Sequence, residues 1–413
     1  MGFGQGLSGL SASSKLLDAI GNNVANANTV GFKASGANFA DIYAKSLAGA
    51  GGGATTGIGA RVSNMSQQFS QGNITASSNS LDLAANGSGF FRMSHLGAIS
   101  YARNGQFQLD QSGFLVNANG DRLTGYMANA AGQLSTGTPV DLVVSAADIP
   151  SAATANVNAQ VNLDSRSAIP AVSPFNAANP DSYNHAASIT TYDGLGNAHV
   201  LQTYYVKTAS ASWDVYGTYD DGSNTVATVP ALIGTLGFGP TGAINVPAPP
   251  LPATFATTLT PTTGAASYPV QIDLTGSTQY GSGFSVSTLS QDGYASGRLT
   301  GFTTSSAGII SGSYSNGQTR TLGQVVLANF GNPNGLQAIG NNSWVESGTS
   351  GAPLVGAPGS GSLGALQTSA TEDSNVDLTS ELVNMITAQR DYQANAQTVK
   401  TQDQILQTLV NLR

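Results

Sequence analysis

From Ser374 to Arg413 the chain runs without a single Gly or Pro, in a sequence that elsewhere holds 51 Gly and 16 Pro. Steps of three and four from Leu378 reach Leu382, Met385, Gln389, Tyr392, Ala396, Val399, Asp403, Leu406 and Val410. That spacing predicts one long helix carrying a seam of about 3.5 residues per turn rather than a broad globular stripe. Asn375 and Asp377 stand where side chains accept from the free N–H groups of a helix start, and Asp373, Asp377 and Glu381 suit the positive end of the helix dipole. At 1.5 Å per residue, Leu378 to Leu412 would reach about 50 Å. One small domain does not cover that length, so the stripe requires partners.

A partner stands at the other end of the chain. Leu7, Leu10, Leu17 and Val24 fall on a similar seam, with Leu16 and Ile20 beside it. Ser14 and Gly21 also occupy seam positions, which would narrow the helix and admit a neighbouring backbone. The Asn-rich run from Asn22 to Phe32 predicts that the helix stops near Asn26 to Gly31, because Asn forms helix poorly and caps well. Gly2, Gly4, Gly6 and Gly9 weaken the first turns by roughly 1 kcal/mol each relative to Ala. The segment is therefore expected to become helical only against another helix.

Charged residues make up 9% of the sequence, against roughly 25% in ordinary soluble domains. Stacked identical subunits repeat every surface charge, so sparse charge lowers self-repulsion in a homopolymer. A secreted adhesin would tolerate the same composition. The net charge of −8 and the lack of any Lys/Arg cluster argue against nucleic acid and anionic membranes as partners. With no cysteine, disulfides and thiolate metal sites are excluded. No run approaches the ~18 apolar residues of a transmembrane helix, and no cleavable secretory signal is evident, the first basic residue being Lys15.

Between the helical ends the chain reads as β-structure. Asn316-Gly317 separates two alternating stretches, Ile309 to Ser315 and Gln318 to Leu322, as in a tight hairpin. Asp110 to Gly113 turns Gln106–Leu109 back into Phe114–Val116. His199 to Val206 and Trp213 to Tyr219 are aromatic-rich strands, with Val200, Tyr204 and Val206 on one face and Trp213, Val215 and Tyr219 on another. Asp193-Gly194 and Asp221-Gly222 mark turns, and Val246 to Pro252 a Pro-rich loop. The expected organisation is mainly β with α-helical termini: long N- and C-terminal helices form a coiled-coil-like base, followed by two β-rich, barrel- or sandwich-like domains, the outer inserted in the inner. The expected boundaries are 1–33 and 374–413 for the helical polymerisation domain and 34–71 for a flexible connector, centred on the Gly-rich stretch Leu47 to Gly59. The inner β-domain is expected over 72–146 and 294–365, and the outer over 147–293.

Catalytic patterns are weak. Gly237 to Gly242 fits G-x-G-x-x-G, but Pro240 and the Pro-rich stretch that follows leave no helix to receive a phosphate, so it reads as a turn. There is no G-x-S-x-G. His95, His185 and His199 are scattered, without a second His at i+4. Asp220-Asp221 reads as a solvated turn, and Asn117 to Asp121 lacks the downstream Glu of a calcium loop. No enzyme, cofactor, metal or small-molecule substrate is expected.

Four blocks of residues carry a family resemblance. Asn22-Asn23-Val24-Ala25-Asn26-Ala27-Asn28-Thr29-Val30-Gly31-Phe32-Lys33 resembles the N-terminal block of bacterial flagellar rod and hook proteins. Ser374 to Leu378, Met385 to Asn395 and Thr401 to Leu406 are similar to their C-terminal block. Leu81-Asp82-Leu83-Ala84 with Gly89-Phe90-Phe91, and Tyr101 to Phe107 with Leu123-Thr124-Gly125-Tyr126, resemble the family's β-motifs. The insert from about Ala147 to Gly293 looks like the outer domain of the hook members. Rod members are shorter, with little or no such insert. Ala85-Asn86-Gly87 departs from the more apolar continuation usual in the family, and the Gly-rich link is longer.

The resemblance implies export through the flagellar secretion apparatus and self-polymerisation outside the cell into a short curved tube, a universal joint between motor and filament. Its neighbours would be the rod at the proximal end, and the hook cap and hook–filament junction proteins at the distal end. The alternatives are a distal rod subunit and a secreted β-rich adhesin. The residues expected to make the self-assembly contacts are Leu7, Leu10, Leu17, Ile20 and Val24, with Leu378, Leu382, Met385, Tyr392, Val399, Leu406 and Val410.

Overall fold

The computed structural model describes residues 2–42, 59–145, 147–220, 227–247, 253–261 and 264–411. Two helices stand at the chain ends, α1 over Gly2–Ala25 and α2 over Leu378–Asn411, and strands fill most of the rest. The chain divides into two compact units. The first holds Met1–Ser145, Gly301–Ser313 and Thr319–Arg413, and the second holds Ala146–Thr300 and Tyr314–Gln318.

In the first unit, α1 stops within the Asn run, at Ala25. The Asn26 amide closes a last turn on Asn22 O (3.1 Å), and Gly31 turns the chain with φ 72°. A connector is the sequence expectation for 34–71, yet its two ends are strands. β1 (Ser35–Ile42) pairs antiparallel with β2 (Gly59–Gln67) from Ser35↔Gln67 to Ile42↔Gly59, with a bulge at Asn38/Phe39. The sequence hides this because Ser, Gly and Asn are poor strand formers, and pairing rather than propensity holds the ladder. Leu47 to Ile58, the centre of the expected link, lies outside the described residues.

The motif strands that follow build an antiparallel sheet in which Phe90–His95 lies between Ala98–Ala102 and Arg122–Met127. On one side of it the rings of Phe69, Phe90, Tyr101, Phe330 and Trp344 meet edge to face at 4.8–6.0 Å between centroids. That geometry sets positive ring edges against negative faces. The hairpin expected at Asn316-Gly317 is present: Ile309–Tyr314 pairs with Thr319–Val325, and Gly317 supplies φ 77°. Late in the chain, Ala365–Thr368 pairs with Leu83–Asn86, and Ala370–Glu372 with Ile74–Ala76. These two ladders bring the segment before α2 back to the start of the β-unit. The Leu83–Asn86 strand ends at Gly87, which adopts φ 109°.

The second unit is built from two five-stranded sheets around one core. One is an antiparallel meander of His185–Tyr192, Ala198–Ala209, Ser212–Asp220, Ala227–Phe238 and Ile244–Val246. In the other, Asn156–Asp164 runs parallel to Tyr268–Asp273 and Thr278–Tyr280 and antiparallel to Ser285–Gln291. Alternation decides which side chains go inside: Leu201, Tyr205, Trp213 and Val215 enter the core, whereas Val200, Gln202 and Val206 face away from it. Tyr204, on that outer face, is covered by Phe175 and Tyr183. Gly239 to Gly242 is a turn, closed by Gly242 N on Gly239 O (2.9 Å), between Phe238 and Ile244. Asp221-Gly222 and residues 248–252 lie outside the described residues.

Candidate self-assembly surface on the terminal helices

α1 and α2 run antiparallel. Asn23 near the end of α1 donates to Glu381 Oε1 near the start of α2 (3.2 Å). At the other end, Gly6 lies against Val399 and Gly9 against Asn395. A Cβ on Gly6 would come 2.8 Å from Val399 Cγ2, and one on Gly9 2.6 Å from Asn395 Oδ1. The backbones approach closely because these residues carry no side chain. The covered row of α1 continues through Ala12, Ser13, Ala19, Ile20 and Asn23, all buried. On α2 it runs through Ala388, which is buried, with Glu381, Asn395 and Val399 half-buried.

The sequence reading had α1 turned by about one residue. Ser14 is exposed and nothing lies within 4 Å of a Cβ on Gly21, so neither narrows the contact. Gly6 and Gly9 do. Their lack of a side chain, which weakens an isolated helix, is what lets α2 sit down on α1.

α2 starts where expected. Asp377 Oδ1 accepts from Thr379 N (2.9 Å) and Ser380 N (3.2 Å), a side-chain cap. Asn375 has a different role: its Oδ1 accepts from Ala34 N (2.7 Å) and its Nδ2 donates to Gln68 O (2.8 Å), tying the approach to α2 to the residues just before β1 and just after β2. The N–H groups of Ser380 and Thr379 hold the Asp377 carboxyl below the usual carboxylate range. The contribution of a depressed carboxylate is present above its unfolded value of about 4 and is lost as pH falls through the lower folded value. Protection of the Thr379 and Ser380 amides against hydrogen exchange is therefore expected to be full near neutral pH and to fall once pH drops below the ordinary Asp value of about 4. Asp377→Asn keeps an acceptor and removes that pH dependence; equal protection near neutral pH and well below that value in the parent chain rules the cap out.

The expected contact residues separate into classes. Ile20 is 4% exposed, already covered within its own chain. Leu10, Leu17, Val24, Met385 and Val399 are half-buried. Leu7, Leu378, Leu382, Tyr392 and Leu406 lie open, at 41–56% exposure. The Val410 side chain lies outside the described residues. Phe3, Val383, Ile386 and Ile405 are also open, and a seam one residue wide left them out. Leu378, Leu382 and Ile386, four apart, form a row on one flank of α2. Leu406 is different: it lies on the row that faces α1, but past its end. Gly6 opposes Val399, so the described α1 stops near residue 403 and α2 projects about 12 Å further. Among the described residues, nothing of this chain covers that overhang.

The polar candidates do not converge. His95 Nδ1 pairs with Asp121 at 2.8 Å on the surface, and His199 Nε2 with buried Asp193 at 3.0 Å. Asn117 Oδ1 accepts from Asn119 N and Asp121 N, so the calcium-like loop is an Asx turn. Among the described residues no three metal-ligating side chains gather.

Family models match along most of the chain. Flagella basal body rod protein matches residues 5–33. Flagellar hook protein FlgE/F/G D1 domain matches 84–164, and Flagellar basal body protein FlaE D2 domain matches 162–294. Flagellar basal body rod FlgEFG protein C-terminal matches 367–412. The chain is 41% identical to the flagellar hook proteins FlgE of Escherichia coli K12 and Salmonella typhimurium, over the whole of each sequence. The chain belongs to the flagellar hook protein family. The hook protein FlgE of Borreliella burgdorferi is 33% identical over 99% of this chain and 98% of its own. The crystal structure of Helicobacter pylori flagellar hook protein FlgE2 shares the fold, with a TM-score of 0.52 at 14% identity, covering 71% of this chain and 99% of that one. Within the hook family frame, the two helices correspond to the N-terminal rod match and the C-terminal rod match, one at each end of the chain.

Proposed function

We propose that this hook-family chain polymerises through the open faces of α1 and α2 into the flagellar hook, a curved tube that passes motor torque to the filament as a universal joint. The observation that carries this reading is the set of Leu, Val, Ile and Tyr side chains on α1 and α2 that lie open among the described residues. Each such side chain, fully buried, contributes about 1.5–3 kcal/mol. Leaving them in water forfeits that, and many parallel copies recover it. A head-to-tail contact that does not close on itself makes a helical polymer rather than a ring. Sparse charge suits close stacking of copies, and the Lys15–Asp18 pair, 3.6 Å apart and exposed, adds little.

The expected helical polymerisation domain, 1–33 with 374–413, supplies the tube wall in this proposal, and the β-units stand outside it. Continuity with the rod below, contacts with a cap and junction proteins above, and passage through the flagellar export apparatus belong to the same proposal. Electron microscopy of the purified full-length chain is expected to show curved tubes, and a chain lacking 1–33 and 374–413 only particles. Straight tubes from the full chain favour a rod-like shaft instead, and particles from both sink the polymer reading.

A further inference from the structure

The deepest charges in the first unit sit where the chain ends meet it. Glu372 is buried, its side chain 0% exposed. Its Oε1 takes Lys33 Nζ at 2.6 Å and Gly72 N at 2.9 Å, and its Oε2 takes Arg103 Nη1 at 3.2 Å. Lys33, also 0% exposed at its side chain, donates to Ser70 O (2.7 Å). Arg103 reaches Ala85 O (3.3 Å) and Gly87 O (2.9 Å) and lies 5.3 Å over the Phe90 ring. Gly31 N donates to the Glu372 backbone oxygen at 2.7 Å. One carboxylate thus holds two buried cations from two parts of the chain, and burial pushes both cations toward losing their protons while Glu372 opposes it.

Lys33 closes the N-terminal block, Arg103 belongs to the β-motif, and Glu372 comes 339 residues after Lys33. α1 ends shortly before Lys33, and α2 begins shortly after Glu372. Without Glu372, seating the N-terminal block would bury two like charges with no counter-charge, a strongly unfavourable state. Neutralisation requires the segment that leads into α2.

We propose that Glu372 is the positioning residue of the assembly helices: its carboxylate makes docking of the N-terminal block onto the β-unit conditional on the C-terminal segment, so α1 and α2 are presented together. This rests on the reading that those helices polymerise, and deepens it by naming what controls their presentation. A chain with one end still absent offers no complete assembly surface.

The test compares the full-length chain with Glu372→Gln, Lys33→Met and the triple Lys33→Met, Arg103→Met, Glu372→Met. Polymerisation is followed by light scattering and amide exchange at residues 31–35 by mass spectrometry. Glu372→Gln is expected to slow polymerisation more than fivefold and to strip exchange protection from residues 31–35. Lys33→Met, which leaves one cation on one carboxylate, is expected to act less than Glu372→Gln. The apolar triple is expected to polymerise faster than Glu372→Gln. A residue that only fills space reverses the last two orders, and either reversal overturns the proposal. So does a Glu372→Gln chain that assembles within fivefold of the parent with residues 31–35 equally protected. If the parent chain forms no polymer yet Glu372→Gln still loses that protection, the polymerisation reading falls and the clasp stands.

Discussion

Leu406→Asp abolishes polymerisation and leaves both β-units folded. Leu406 is 53% exposed on the overhang of α2, on the row that faces α1 but beyond its end. Leu406 is more than half exposed, and among the described residues it belongs to no buried cluster, so the folded subunit is expected to keep its stability within about 0.5 kcal/mol. Between copies the balance differs. Burying the Leu contributes about 1.5–3 kcal/mol, and placing a carboxylate in that contact instead carries a desolvation penalty of several kcal/mol. A combined loss of about 4 kcal/mol raises the concentration needed for assembly roughly a thousandfold. Sedimentation measures that concentration, and thermal unfolding checks the fold. Tubes that pellet at the parental concentration show that Leu406 has been placed on the wrong face.

Gly105→Ala unfolds the first unit at a far lower temperature and spares the second. Gly105 sits inside the motif Tyr101 to Phe107, and its carbonyl accepts from Leu83 N at 2.9 Å. A Cβ there would press into the Leu83 carbonyl oxygen, which belongs to backbone and cannot swing aside, and would meet Phe91 Cε2 at 2.9 Å. Leu83 and Phe91 are both buried to within 1%. Relief requires pulling the two motif segments apart, a loss above about 4 kcal/mol. For a unit of this size that lowers the midpoint by about 10 °C. The two Trp residues separate the signals, since Trp344 lies in the first unit and Trp213 in the core of the second. Trp213→Phe leaves Trp344 as the reporter. A Trp344 transition at the parental temperature removes the close approach from the account.

The parts legible in the chain were those whose cause is local. The start of α2 at Asp377, the end of α1 in the Asn run and the hairpin at Asn316-Gly317 each follow from one residue's capping or turn chemistry. The strands Ala198–Ala209 and Ser212–Asp220 follow from alternation. The mis-phased row on α1 has a different origin. Gly6 and Gly9 read as weak helix positions, and their advantage appears only beside Val399 and Asn395 at the far end of the chain. β1 and β2 were missed for a similar reason: neither has strong strand propensity, and each is a strand because the other is present.

Amino-acid order alone determined that both ends are helices with apolar rows and that the middle is β, because periodicity, caps and turns act within a few residues. The tertiary structure decided which rows are covered. Apolarity makes a side chain favour burial without naming its cover, so only packing showed that Ile20 is covered within its own chain while Leu406 is left open past the end of α1. Packing likewise brought Lys33, Arg103 and Glu372 into one buried cluster, since charges so far apart in sequence carry no local sign of one another.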